Sequence, residues 1–413
     1  MKSEPAPDAP VQPGRRSTWA TIGVVYLGGV VAAMSLGKFA PVGPAVTGQL
    51  SLSLSQLGWV ISAVVGVGAA FGLPGGYLMR RVGARGALVY GLALIAVAGA
   101  ASVLAGDFAW LLVARVAEGF GYLLVTIAGP VLVLRLADER DRSAALSVWA
   151  TFVSVGLFAS TLVGGAAGDA FGWRGWIGLL AALTLLMAVV LQLRLPRTGA
   201  GPRAAAGPVP RLRALRWPGV LAFSFCLTAL VTIPVIVLLP TLLIEQHDNS
   251  AAAAGASTSV ISLLSAVGGL LVGMLLRRGT RVGVLALFGL LAVPAAWLVY
   301  GGGPLAGVLA GAGTLSLANG FLAALVFAAL PLILERLDHA DVGSGLVAQA
   351  GSLGSLLGPP MFGEVAAAFG FAALAPVIAV GLVAAVAALL LAGGRAAGRQ
   401  RWVAGAGEKG VAG

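Results

Sequence analysis

Charged residues are what this sequence has least of. Asp, Glu, Lys and Arg make up 10% of its 413 residues, against about 25% in ordinary soluble domains, and so few ionic groups cannot cover a solvent-facing surface. A soluble enzyme is excluded on that ground. Cysteine is nearly absent too. Cys226 stands alone inside an apolar run, so an intrachain disulfide is impossible and cysteine-based metal binding is not expected. The two histidines, His247 and His339, fall in short polar connectors without metal-ligand spacing and read as loop surface. No set of nucleophile, base and orienter is present. Glycine-rich stretches such as GVGAAFGLPGG lack the lysine and the strand-to-helix setting of a phosphate loop. Covalent chemistry, a cofactor and a resident metal are therefore not expected.

Apolar side chains fill the space that charge leaves. Of the residues 59% belong to the set AVILMFWYC, and 61 more are glycine. Apolar runs recur at 18–40, 55–79, 86–105, 108–134, 143–168, 174–193, 217–244, 256–276, 282–300, 304–334, 342–368 and 371–392. A membrane-crossing helix needs about 20 residues, so the chain reads as an all-α polytopic membrane protein with twelve transmembrane helices. Prolines inside these runs are tolerated where neighbouring helices satisfy the freed backbone groups. Residues 1–17 form a polar, disordered tail without the apolar core and cleavage site of a secretory signal. The Pro-, Gly- and Arg-rich stretch 195–216 reads as a flexible linker. It separates two six-helix halves, 18–194 and 217–392, and a second polar tail follows at 393–413.

Cations mark one side of the membrane. Alternate connectors and the two tails hold 23 of the 26 Lys and Arg residues, while the opposite connectors hold only Arg174. By the positive-inside rule both termini are cytoplasmic, in the cell's inner membrane. The net charge of +11 is thus an orientation signal with contacts to anionic lipid, not a nucleic-acid footprint. Lys38 and Arg115 remain, both inside predicted spans.

The halves repeat. Ser154–Trp173 aligns without gaps on Ser352–Phe371 with six identical positions, among them Gly165/Gly363 and a shared Ala-Phe-Gly ending. Val60-Ile61-Ser62 matches Val260-Ile261-Ser262, each followed by a basic turn, Arg80-Arg81 or Arg277-Arg278. Gly119-Phe120 and Pro130 match Gly320-Phe321 and Pro331. The constant offset points to parallel six-helix repeats.

With these repeats on the page, the chain resembles the major facilitator superfamily over residues 18 to 392. GGYLMRRVGARGAL, between spans two and three, is similar to that family's gating-loop motif. Gly76, Arg81, Gly83 and Arg85 fit it, whereas Arg80 stands where the family has Asp and Ala84 where it has a basic residue. In span four, RVAEGFGY resembles the family's Arg, two residues, Gln, Gly, one residue, Gly pattern, with Glu118 in place of Gln. DAFGWRGW resembles the family's approach to span six, and the Gly-Pro that marks exporters in span five is replaced by Ser160-Thr161. Among subgroups, the Glu-Gly in span four and the GWRGW turn look most like the cyanate and 2-nitroimidazole permeases. The resemblance implies twelve helices, a midplane site and transport by rocking of the two halves.

Candidate transport residues are the polar ones inside the spans. An ionised side chain near the bilayer centre costs roughly 2.5–3.5 kcal/mol even on the mildest scale. Arg115 and Glu118 are three residues apart and share a helical face, which Tyr122 and Thr126 continue. Glu118 falls about 15 Å deep. A structural ion pair pinning span four is the plain alternative, but the equivalent positions of span ten are Ser316 and Asn319, where the fold manages without charge. Arg115 is expected to attract an anionic substrate or pair with Glu118, and Glu118 to exchange a proton. Lys38 either snorkels to the outer interface or faces the cavity beside Arg115. Asn319 and Gln349 complete the candidates; Trp110, Trp173 and Trp176 fit an interfacial belt.

The expected function is a secondary transporter that moves a small organic or inorganic anion together with protons by alternating access, as a single chain in the lipid bilayer. A proton-driven antiporter exporting amphipathic drugs is the alternative, favoured by a mostly apolar cavity and opposed by the missing Gly-Pro. A membrane receptor without transport is a remote third, because no loop is large enough to hold a soluble partner.

Overall fold

The computed structural model describes residues 15–195, 212–336 and 339–409. Most of the first tail and of the linker, 1–14 and 196–211, lies outside these described residues. The described chain is helical throughout. Its helices are α1 Arg15–Gly37, α2 Gly43–Leu50, α3 Leu54–Val82, α4 Ala84–Val103, α5 Phe108–Leu136, α6 Arg142–Trp149, α7 Phe152–Arg194, α8 Arg216–His247, α9 Ala251–Arg277, α10 Val282–Phe288, α11 Ala295–Tyr300, α12 Leu305–Ile333, α13 Ala340–Phe369 and α14 Leu374–Lys409.

These helices make twelve crossings. Ten stretches are long and apolar enough to cross a membrane, and one of them, Arg142–Arg194, runs for 53 residues. At 1.5 Å per residue that is about 80 Å, far more than a hydrocarbon core of about 30 Å. Gly172 divides it, with φ 70° and ψ 167° inside α7. The twelfth crossing comes from α13, whose 30 residues are rich in Gly, Ser and Pro and so less apolar than the rest. Positive φ at Gly172 is matched by φ 81° at Gly370, and φ 81° at Gly83 by φ 85° at Gly279. These are the glycines that end the repeated Ala-Phe-Gly segments and follow the two Arg-Arg pairs. Only glycine takes this backbone without strain, so the repeat is written in the turns as well as in the spans.

Short-range chemistry starts the helices at the end of the bundle opposite the arginine-rich connectors. The Ser53 hydroxyl accepts from the Gln56 amide at 3.1 Å while the Gln56 side chain accepts from the Ser53 amide at 2.9 Å, a reciprocal cap. Asp107 and Ser250 likewise accept from the amides of Trp110 and Ala253, satisfying donors that a helix start leaves free.

Within the N-terminal half α1 packs on α7 and α4 on α5; within the C-terminal half α8 packs on α13 and α9 on α12. Small residues let backbones touch. A methyl on Gly320 would collide with the Ser265 carbonyl, and one on Gly268 with the Leu317 carbonyl. Gly320→Ala is therefore expected to force α9 and α12 apart and cost about 3 kcal/mol, read as an earlier unfolding transition in detergent. Gly165→Ala, whose added carbon meets nothing within 4 Å, is the matched control.

Three expectations need correction. The first helix ends at Gly37, so Lys38 opens a turn rather than continuing the span. His339 is not loop surface but buried at the start of α13, because it stands at the N-cap of that helix among residues that are themselves buried. Trp173 and Trp176 are 1% exposed, since after the Gly172 break they pack into the bundle and donate to Gln49 and to the Lys38 carbonyl.

Candidate functional site

Three charges meet in the N-terminal half. Glu118, nearly three turns into α5, receives Lys38 Nζ on Oε1 and Arg115 Nη1 on Oε2. Arg115 is held further by backbone: Nε donates to the Val60 carbonyl at 2.9 Å, Nη1 to Ser35 at 3.1 Å and Nη2 to Leu36 at 3.0 Å. The carbonyls of Ser35 and Leu36 are available because α1 stops at Gly37 and the last carbonyls of a helix lack partners within it. The Phe39 ring lies under both cations, 5.5 Å from Lys38 Nζ and 5.1 Å from Arg115 Cζ, a favourable face for positive charge. Trp176 donates to the Lys38 carbonyl at 3.0 Å and so fixes the turn that carries the ammonium.

This cluster is buried. Arg115 is 0% exposed, Lys38 1% and Glu118 1%. A carbon added to Gly99 on α4 would lie 3.3 Å from Lys38 Nζ and 3.4 Å from both Glu118 Oε1 and Ala181 of α7. The cluster thus sits among α1, α3, α4, α5 and α7, inside one half. Of the two readings of Lys38, snorkelling to the interface is overturned: the side chain turns back to the Glu118 carboxylate. Two cations and one anion leave the group one positive charge in excess.

The other candidates lie elsewhere. Tyr122 is half-buried against Phe152, ring centroids 6.5 Å apart. Asn319 belongs to a polar chain that crosses between the halves near mid-membrane. Its Oδ1 accepts from Thr232 at 2.8 Å, its Nδ2 donates to Ser265 Oγ at 3.4 Å, and Ser154 of the other half donates to Ser265 at 3.0 Å. Ser154 had shown itself only as a repeat match and Ser265 not at all, because a serine in a span ordinarily bonds its own helix.

Gln349 joins the halves. Its Oε1 accepts from the Leu73 amide at 3.0 Å and its Nε2 donates to the Ala69 carbonyl at 2.9 Å, the two groups that an α-helix would otherwise pair with each other. Glycines permit this approach. A carbon on Gly72 would lie 2.7 Å from the Gln349 backbone, one on Gly76 2.8 Å from the Asp341 carbonyl and one on Gly345 2.6 Å from the Gly72 carbonyl. Nearby, Asp341 accepts from Arg135 at 3.4 Å, and Asp141 pairs with Arg277 at 3.7 Å. The halves are therefore shut against each other at the arginine-rich end. Asp341, an acid in the first turn of its helix, supplies a carboxylate at that closure. Of the loop residues, Gly76 packs at the closure, Gly83 makes the turn between α3 and α4, Arg81 is exposed, and Arg85 donates to the Gln192 carbonyl at 2.6 Å. Among the described residues no group of His, Cys, Asp and Glu could hold a metal ion.

Comparison with known proteins agrees with this architecture. The profile of the Major Facilitator Superfamily matches residues 25–359. The 3-(3-hydroxy-phenyl)propionate transporter of Escherichia coli (strain K12) is 29% identical over 370 residues, covering 84% of this chain and 87% of its own. Among solved structures, the human organic anion transporter MFSD10 superposes with a TM-score of 0.74 at 18% identity, covering 92% of this chain and 100% of that one. The E. coli fucose:proton symporter does so with a TM-score of 0.72 at 17% identity, covering 91% and 99%.

Proposed function

The chain belongs to the Major Facilitator Superfamily of membrane transporters, and from that premise we propose that it carries a small organic anion, a monovalent carboxylate, together with protons. The observation that carries this reading is the buried Lys38–Glu118–Arg115 cluster with its one excess positive charge. In a low-dielectric half-bundle an unbalanced cation attracts negative charge over distances that water would screen. The E. coli relative is named for an aromatic carboxylate, which supports the same substrate class. The arginine-rich end is the cytoplasmic face, so the shut end closes the pathway to the cytoplasm, and the cluster, enclosed within the N-terminal half, acts on the substrate through its charge. Transport proceeds by rocking of the halves about the midplane, a single chain being the working unit in the inner membrane.

The test is uptake into liposomes containing the purified protein, with 3-phenylpropionate as probe, with and without an inward proton gradient. Accumulation driven by the gradient is the expected result. Export of a cationic amphiphile with no carboxylate uptake would sink the reading and leave drug antiport in its place.

A further inference from the structure

We propose that Lys38, not Glu118, bears the proton that moves with the anion, an inference that rests on the reading of the protein as a proton-coupled carboxylate carrier. Glu118 is doubly committed, one oxygen to Lys38 and the other to Arg115. Protonating it would sever a charge-assisted bond and leave two cations facing each other without a counter-ion, in a site that is at most 1% exposed, a situation that costs several kcal/mol per ion. Arg115 is no alternative. A guanidinium keeps its proton in proteins, and this one spends its donors on three carbonyls and Glu118.

Lys38 differs on each count. Its ammonium meets the Glu118 carboxylate and the face of Phe39, and around it stand Glu118 and Arg115 from α5, Gly99 from α4 and Ala181 from α7. Losing one proton turns –NH3+ into –NH2, which still has an N–H to give to Glu118. The proton leaves to water on the release side once rocking of the halves has opened the cluster, which is closed to solvent in the state described; no covalent bond changes, and the cluster becomes neutral as an Arg115–Glu118 pair.

Charge balance then couples proton to substrate. With Lys38 protonated the cluster's excess charge is cancelled by one bound carboxylate; with Lys38 neutral the empty carrier is balanced by itself. These two states can reorient without an uncompensated charge in the bilayer, whereas substrate without proton, or proton without substrate, leaves one. The transporter is therefore an electroneutral symporter of one proton per monovalent carboxylate.

Two measurements decide it. In liposomes loaded with a pH-sensitive dye, protons entering per 3-phenylpropionate are counted for the wild type and for Lys38→Arg, which keeps the charge but cannot release it. The ratio is expected to fall toward zero in the variant, whose guanidinium cannot release a proton; an unchanged ratio overturns the inference. The second measurement needs no variant and no substrate. Lysine occurs at positions 2, 38 and 409 alone, so side-chain 15N labelling yields one lysine signal from the bundle and two from the terminal segments. The Lys38 nitrogen is expected to change protonation over the pH range in which uptake changes. A nitrogen that stays an ammonium throughout refutes the inference even where carboxylate uptake is upheld. A titrating Lys38 in a protein that takes up no carboxylate refutes the substrate reading instead.

Discussion

Replacing Glu118 with Gln is expected to cost the folded transporter roughly 3–5 kcal/mol, the range seen when one partner is removed from a buried charge group. The amide keeps the shape and one acceptor but not the charge, and Lys38 and Arg115 are left buried without their counter-ion. Because the three residues contact one another, the effects of substituting them do not add. Glu118→Gln combined with Lys38→Met is expected to recover a large part of the loss, since Arg115 then stands alone with its three carbonyls and Phe39. Unfolding in detergent, followed by tryptophan fluorescence, checks both. A single variant as stable as wild type, or a double variant less stable than the single, would show that Glu118 is not the counter-ion on which both cations depend. Carboxylate transport is expected to be absent from the single variant.

The second large effect concerns conformation, not stability. Gly72→Leu puts a branched side chain where Gln349 lies against the α3 backbone, so the shut arrangement of the arginine-rich end becomes unfavourable by about 3 kcal/mol. That is roughly a hundredfold change in the ratio of shut to open. The protein is expected to purify as wild type does, yet to lose most of its transport because one of the alternating states is no longer reached. Spin labels on Glu139→Cys and Arg278→Cys, one on each half and both exposed, report the change as a longer distance once Cys226 has been replaced by Ser. Gly66→Leu, on the same helix but with nothing within 4 Å of the added carbon, is expected to behave as wild type. Equal distances in the two variants would remove the glycine row of α3 from the gating argument. Gln349→Leu acts in the same direction and more weakly, by about 1–3 kcal/mol, because it strands a backbone donor and acceptor rather than creating a collision.

Much of the fold is legible in the residues. Spans follow from apolar runs, their alternating direction from the placement of arginine, and the duplicated turns from Gly172, Gly370, Gly83 and Gly279, since each rests on composition or on neighbours in sequence. Where the reading slipped, a contact distant in sequence intervened. His339 is polar and in a connector, yet packing buries it. Trp173 and Trp176 have the residue type of an interfacial belt, but after the break at Gly172 they pack into the bundle. Gln349 is a polar residue in a span by sequence, and only the near approach of Gly72 shows that its amide bonds the backbone of α3.

For the candidate site the division is sharper. The sequence by itself determined that Arg115 and Glu118 share a helical face, because residues three apart in an α-helix are neighbours, and that Lys38 lies near the far end of the first span. Only the tertiary structure decided that Lys38, 80 residues from Glu118, takes the second oxygen of the same carboxylate, that Ser35 and Leu36 lend their carbonyls to Arg115, and that the group is enclosed within one half. Helical periodicity fixes which residues of one helix lie side by side. It carries no information on how two helices cross or are rotated against each other, and that relation turns three separate charges into one cluster with a charge to spare.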